Sequence, residues 1–133
     1  MSSFVISPKC LYGFRTFLFM PIQWEQQECE VFADYLRLKN IKFAHIANES
    51  GMRLPMGVIR KRARMGYGKG VPDYLIVVKN NLLFIEMKRE KGGVVSPEQK
   101  EWIEILNRIN GVTAMVCRGA MEAINTVERF LKP

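Results

Sequence analysis

The tightest constraint on what this chain can fold into is an apolar run that ends in charge. Leu82-Leu83-Phe84-Ile85 passes without a break into Glu86-Met87-Lys88. A second β-rich run, Tyr74 to Val78, lies just upstream, and Lys79-Asn80-Asn81 between them predicts a tight hairpin. Runs this apolar read as central strands. Alternate side chains of a strand share a face, so Glu86 and Lys88 project together while Met87 points the other way. Asp73, which follows Pro72 at the head of the first strand, is folded back toward them. Charges at the end of a buried strand carry a desolvation cost, and a divalent cation would offset it.

The carboxylates of Asp73 and Glu86, supplemented by the Met87 carbonyl and by water, form a hard oxygen environment suited to Mg²⁺ or Mn²⁺. Such an ion polarises a phosphoryl oxygen and lowers the pKa of a bound water. A lysine beside it, here Lys88, can orient the nucleophile or neutralise developing negative charge. Hydrolysis of a phosphodiester is the chemistry this set predicts. The alternative is a surface hairpin in which Glu86 and Lys88 form an exposed ion pair.

Charge favours the first reading. Twenty Lys and Arg against thirteen Asp and Glu leave a formal charge of +7, which attracts polyanions. Between Gly51 and Pro72 stand Arg53, Arg60, Lys61, Arg62, Arg64 and Lys69 with no acid among them, directly before Asp73. A basic strip beside isolated acids is the pattern of a phosphate backbone brought to a metal site. Tyr67, set among these bases and glycines, is the one aromatic to consider for DNA contact. A solvated basic helix is the plainer account of the strip.

The elements around the hairpin alternate. Trp24 to about Lys39 carries Cys29, Phe32, Tyr35 and Leu36 at helical spacing, with Glu25 and Glu28 on the same side and Glu30 displaced around the helix. Lys42 to Ala47 reads as a strand, Asn48 to Gly51 as a turn, and Val58 to Met65 as a short basic helix. Ser96-Pro97-Glu98-Gln99 opens a helix running to about Asn110, with serine at the N-cap and glutamine at the capping-box position. Val112 to Cys117 makes a further strand and Met121 to Leu131 a final helix. Interleaving of this kind predicts an α/β domain with a mixed central β-sheet flanked by helices.

With 133 residues, one domain is expected. Cys10, Cys29 and Cys117 are odd in number and unpaired in spacing, which suits a reducing cytosol and suggests neither a disulfide framework nor a zinc cluster. The apolar stretch Phe14 to Ile22 is too short and interrupted to span a membrane, and no signal peptide is evident. His45, the lone histidine, reads as a strand or core residue, and Trp24 and Trp102 read as core.

Taken together, Gly70-Val71-Pro72-Asp73, Phe84-Ile85-Glu86-Met87-Lys88 and Ser96-Pro97-Glu98-Gln99 resemble the VRR-NUC (virus-type replication-repair nuclease) family of the PD-(D/E)XK superfamily. Glu25-Gln26-Gln27-Glu28 leading into Tyr35-Leu36, His45 to Glu49, and Met65-Gly66 resemble its stand-alone phage and bacterial members. The resemblance implies a restriction-endonuclease-like core over residues 23–133, preceded by a lead-in, 1–22. It further implies metal-dependent DNA cleavage in a host cytoplasm, by homodimers acting on branched DNA such as four-way junctions. By position, Asp73 and Glu86 would be metal ligands, Lys88 the catalytic lysine, Gln99 an active-site accessory, and Glu25 the first-helix carboxylate, with Glu28 as its alternative. Phe14 to Met20 is a candidate dimer interface. A less selective nickase or DNase, an RNA-cleaving enzyme, and a non-catalytic DNA-binding module are the rival expectations.

Overall fold

The computed structural model describes residues 24–46 and 54–133. The 1–22 lead-in with its expected interface, the side chain of Trp24, the end of the strand at Ala47, the turn with Asn48 and Glu49, and Arg53 lie outside the described residues.

Among the described residues, eight elements follow in the expected order: α1 (Trp24–Leu38), β1 (Lys42–His45), α2 (Met56–Arg64), β2 (Tyr74–Val78), β3 (Asn81–Lys88), α3 (Pro97–Asn107), β4 (Val112–Arg118) and α4 (Ala120–Leu131). The strands lie in sequence order, β1-β2-β3-β4. The first three are antiparallel neighbours, and β4 runs parallel to β3 after the crossover through α3. The sheet is therefore mixed.

Strand alternation sorts the side chains. Tyr74, Ile76, Val78, Leu83, Ile85 and Met87 point to one face, where they are buried with Phe32 and Leu36 of α1 and Ala123 and Val127 of α4. Glu86 and Lys88 point to the opposite face, on which α3 lies against β4. The outer edge of β4 is closed by a side chain: the Asn107 amide accepts from Ala114 N at 2.8 Å and donates to Ala114 O at 2.9 Å. Such a plug takes away the edge groups another strand would pair with.

The hairpin departs from expectation by one residue. Asn81 already pairs with Val78, so the connection is the two-residue Lys79-Asn80, with Lys79 at φ 53°. A two-residue turn needs a positive φ to match the strand twist, and lysine occupies a position that glycine or asparagine would fill with less strain. α2 also begins earlier than its apolar spacing indicates, at Met56 directly after Pro55, and none of its residues is buried. Among the described residues, no helix is long and apolar enough to cross a membrane.

Candidate active site

The β2–β3 pairing ends at Tyr74 and Ile85, leaving Asp73 one step beyond it, beside Glu86 and Met87. Met87 N donates to Asp73 Oδ2 at 2.8 Å. Lys88 O, by contrast, accepts from Gly119 N at 3.0 Å on the β4 side. Because backbone polar groups alternate along a strand, the Met87 carbonyl faces the same side as its N–H, toward Asp73. Two carboxylates and one carbonyl thus converge where β2 stops.

Glu86 is 2% exposed. Its Oε1 accepts from Lys88 Nζ at 2.9 Å and from Gln99 Nε2. Its Oε2 is buried and, among the described residues, has no hydrogen-bond partner. Burial pushes the carboxyl from an ordinary 4.5 up to about 7, the Asp73 charge adds to the rise, and Lys88 opposes it. Burial likewise raises Asp73, against the Met87 N–H and the charges of His45 and Lys88. A buried acceptor left unsatisfied beside a second carboxylate is costly, and a cation there removes both penalties.

A divalent ion therefore fits this corner. Glu86 Oε2, the Asp73 carboxylate and the Met87 carbonyl could hold it. Among the described residues, no group of three or more His, Cys, Asp or Glu side chains could do so. A donor set of few protein oxygens, completed by water and substrate, suits Mg²⁺ better than the nitrogen- and sulfur-rich sets of zinc.

Gln99 serves two ends at once. At the start of α3 its backbone N–H donates to Ser96 Oγ at 3.2 Å and its side-chain Oε1 accepts from Ser96 N at 2.8 Å, completing the capping box. That second bond fixes which end of the amide is which, and the NH₂ end is turned onto Glu86. The helix cap and the contact with Glu86 coexist in one rotamer.

The first-helix acids separate. Glu28 Oε2 accepts from Ala120 N and so caps α4 from another helix. Glu25 is solvent-exposed, and its charge bears on both Asp73 and Glu86. Glu30 accepts from Gln26 on the helix surface.

Arg60, Lys61, Arg62 and Arg64 are carried by α2, where Arg62 lies over the Tyr67 ring at 5.8 Å. Lys69 sits in the following loop and pairs with Glu98 at 2.9 Å. His45 is on the edge strand β1, exposed, with its ring 4.9 Å from that of Tyr74. Trp102 corrects the expectation of a core residue: it is half-buried against Gly68 and donates through Nε1 to Lys69 O at 3.1 Å. Its position three residues after Gln99, and so on the same side of α3, is the sequence signal that could have placed it there.

A solved structure described as a VRR_NUC domain protein shares the fold, with a TM-score of 0.63 and 24% identity over 81% of this chain and 88% of that one. No curated protein matches the chain. The VRR-NUC domain family model matches residues 23–121, most of the chain, a span that takes in Asp73, Glu86, Lys88 and Gln99. With the sequence match and the fold in agreement, this chain belongs to the VRR-NUC family and carries a nuclease domain of the PD-(D/E)XK type.

Proposed function

We propose that the chain is a Mg²⁺- or Mn²⁺-dependent DNA endonuclease that acts on branched structures, four-way junctions above all, as a homodimer. The observation that carries the metal-dependent part is the buried, unpartnered Oε2 of Glu86 beside Asp73 and next to Lys88. Asp73, Glu86 and the Met87 carbonyl would hold the ion, which supplies Lewis-acid polarisation and a bound water of lowered pKa. Lys88 Nζ, tethered to Glu86 Oε1, neutralises charge developing on the phosphate. Gln99 holds the Glu86 carboxylate in place, and Glu25 adds a negative charge at the rim.

Arg60, Lys61, Arg62, Arg64 and Lys69, with Arg53 on the same stretch of sequence, bind the phosphate backbone. They reach DNA without reading bases, which suits selection by shape. One chain carries one such site, and resolving a junction requires two strands to be cut. A second copy related by two-fold symmetry supplies the other. Cys29 and Cys117 are free thiols, as the reducing cytoplasm of a host cell keeps them.

The deciding experiment is cleavage of a labelled four-way junction and a matched linear duplex in Mg²⁺, Mn²⁺ or EDTA, by wild type and Lys88→Ala. Metal-dependent junction cutting that is lost in the variant supports the reading. Equal cutting of both substrates removes the junction preference and leaves a general nickase or DNase. Binding with no cleavage under any condition overturns the enzymatic reading in favour of a DNA-binding module. The molar mass from light scattering tests the dimer.

A further inference from the structure

The basic helix α2 buries none of its residues. Contacts that tie it to the rest of the domain follow just after its end. Trp102 Nε1 donates to Lys69 O at 3.1 Å, and Lys69 Nζ pairs with Glu98 Oε1 at 2.9 Å. Gly70, at φ 86°, presses against the same helix: a Cβ there would lie 2.7 Å from Glu98 C and 2.8 Å from Gln99 N. Gly68 sits over the indole, with its Cβ position 3.5 Å from Trp102 Cζ2. The loop 66–70 is thus clamped onto the first turns of α3.

That same stretch of helix bears Gln99, which reaches Glu86. The carboxylate of the candidate metal site and the loop carrying the phosphate-binding helix are therefore indexed to one structural element, residues 96–102. We infer that Trp102 is a positioning residue: through Lys69 O it sets the register between the DNA backbone held by α2 and the Glu86 corner. The inference rests on the nuclease reading and adds to it a residue that touches neither metal nor DNA.

A loosened clamp leaves the positive charges of α2 in place, so DNA still binds. The phosphate presented to the site is no longer fixed, so the chemical step suffers. Misplacement by about an ångström costs up to roughly a hundredfold in rate. A residue that merely supported folding would lower stability without moving the point of cutting.

The test compares wild type with Trp102→Phe, which keeps a ring against Gly68 and removes the donor, and with Glu98→Gln, which loosens the same loop without touching the indole. Binding is read in EDTA, single-turnover cleavage and cut positions on a sequencing gel, and hydrogen exchange over residues 56–70. The expected result for Trp102→Phe is little change in affinity, a cleavage rate down about tenfold or more, cuts spread over neighbouring phosphates, and faster exchange in 65–70. Glu98→Gln shifts the same readouts in the same direction and by less. Unchanged rate and cut positions in a variant whose loop exchanges faster overturn the inference, as does unchanged exchange in both variants. Wild-type protein that cuts no DNA fails the nuclease reading instead, and the exchange data alone then decide whether the clamp exists.

Discussion

Gln99 and Glu86 form one hydrogen-bonded unit: the amide NH₂ of Gln99 donates to Glu86 Oε1 while the amide oxygen is held by Ser96 N at 2.8 Å. The N-terminus of α3 and the candidate metal corner on β3 are therefore locked together through a single side chain. Gln99→Glu separates the two roles. Glutamate still accepts from Ser96 N and keeps the cap, whereas the donor to Glu86 is lost and a like charge is set against it. Cleavage should fall by about tenfold to a hundredfold with little loss of thermal stability at mildly acid pH. Gln99→Ala should lose both functions, adding a stability cost of about 1 kcal/mol. Single-turnover rates and melting curves measure the two effects, and a fully active Gln99→Glu would reduce Gln99 to a helix cap.

Glu86 gives the metal-free protein a pH dependence of unusual sign. Its carboxyl is raised from 4.5 to about 7, first by burial and then by the Asp73 charge. The folded state holds this proton more tightly than the unfolded chain, so the stabilisation is complete below pH 4.5 and is lost as pH rises through about 7. Over that window the loss is on the order of 3 kcal/mol. Urea unfolding from pH 4.5 to 8 should show stability falling with pH in wild type and a flatter profile in Glu86→Gln. Saturating Mg²⁺ should flatten the wild-type profile too, because a bound cation favours the carboxylate. Parallel profiles in wild type and Glu86→Gln would remove the shift.

The two acids at the start of α1 make opposite predictions. Glu28 caps α4 through Ala120 N, so Glu28→Gln should cost about 1 kcal/mol of stability with cleavage kept. Glu25 is exposed and acts on Asp73 and Glu86 through its charge. Glu25→Gln should leave the melting temperature unchanged and slow cleavage. The reverse pattern, read from melting and single-turnover rates on the same preparations, would make Glu28 the first-helix carboxylate.

Much of this arrangement is legible in the sequence because it is written in local signals. The continuous apolar runs of β2 and β3, the capping-box spacing Ser96-x-x-Gln99 and the charges closing β3 each predict one element or contact, and the structure contains them. Contacts between distant elements are not written that way. Nothing local to Glu28 indicates that it caps a helix 92 residues later. Trp102 lies one turn after Gln99 on the same side of α3, yet that spacing alone does not say that its indole donates to the backbone of a loop 33 residues upstream. The hairpin differs by one residue from its sequence signal for a related reason: Asn80-Asn81 carries the turn chemistry, yet pairing of Asn81 with Val78 shifts the turn onto Lys79.

The basic face of α2 makes the last prediction. Arg60, Lys61 and Arg64 are exposed on a helix with no buried residue, so their replacement disturbs little of the core. Each phosphate contact releases counterions, and losing all three should lower the slope of log affinity against log salt by roughly 2 to 3. Phosphate contacts carry no sequence information, so affinity for a four-way junction and for a linear duplex should fall by similar factors. Fluorescence anisotropy of the triple alanine variant across a salt series measures the slope. A slope equal to that of wild type would mean that α2 faces away from the DNA and that the backbone is held elsewhere. A loss confined to the junction would instead make α2 the element that recognises branched structure.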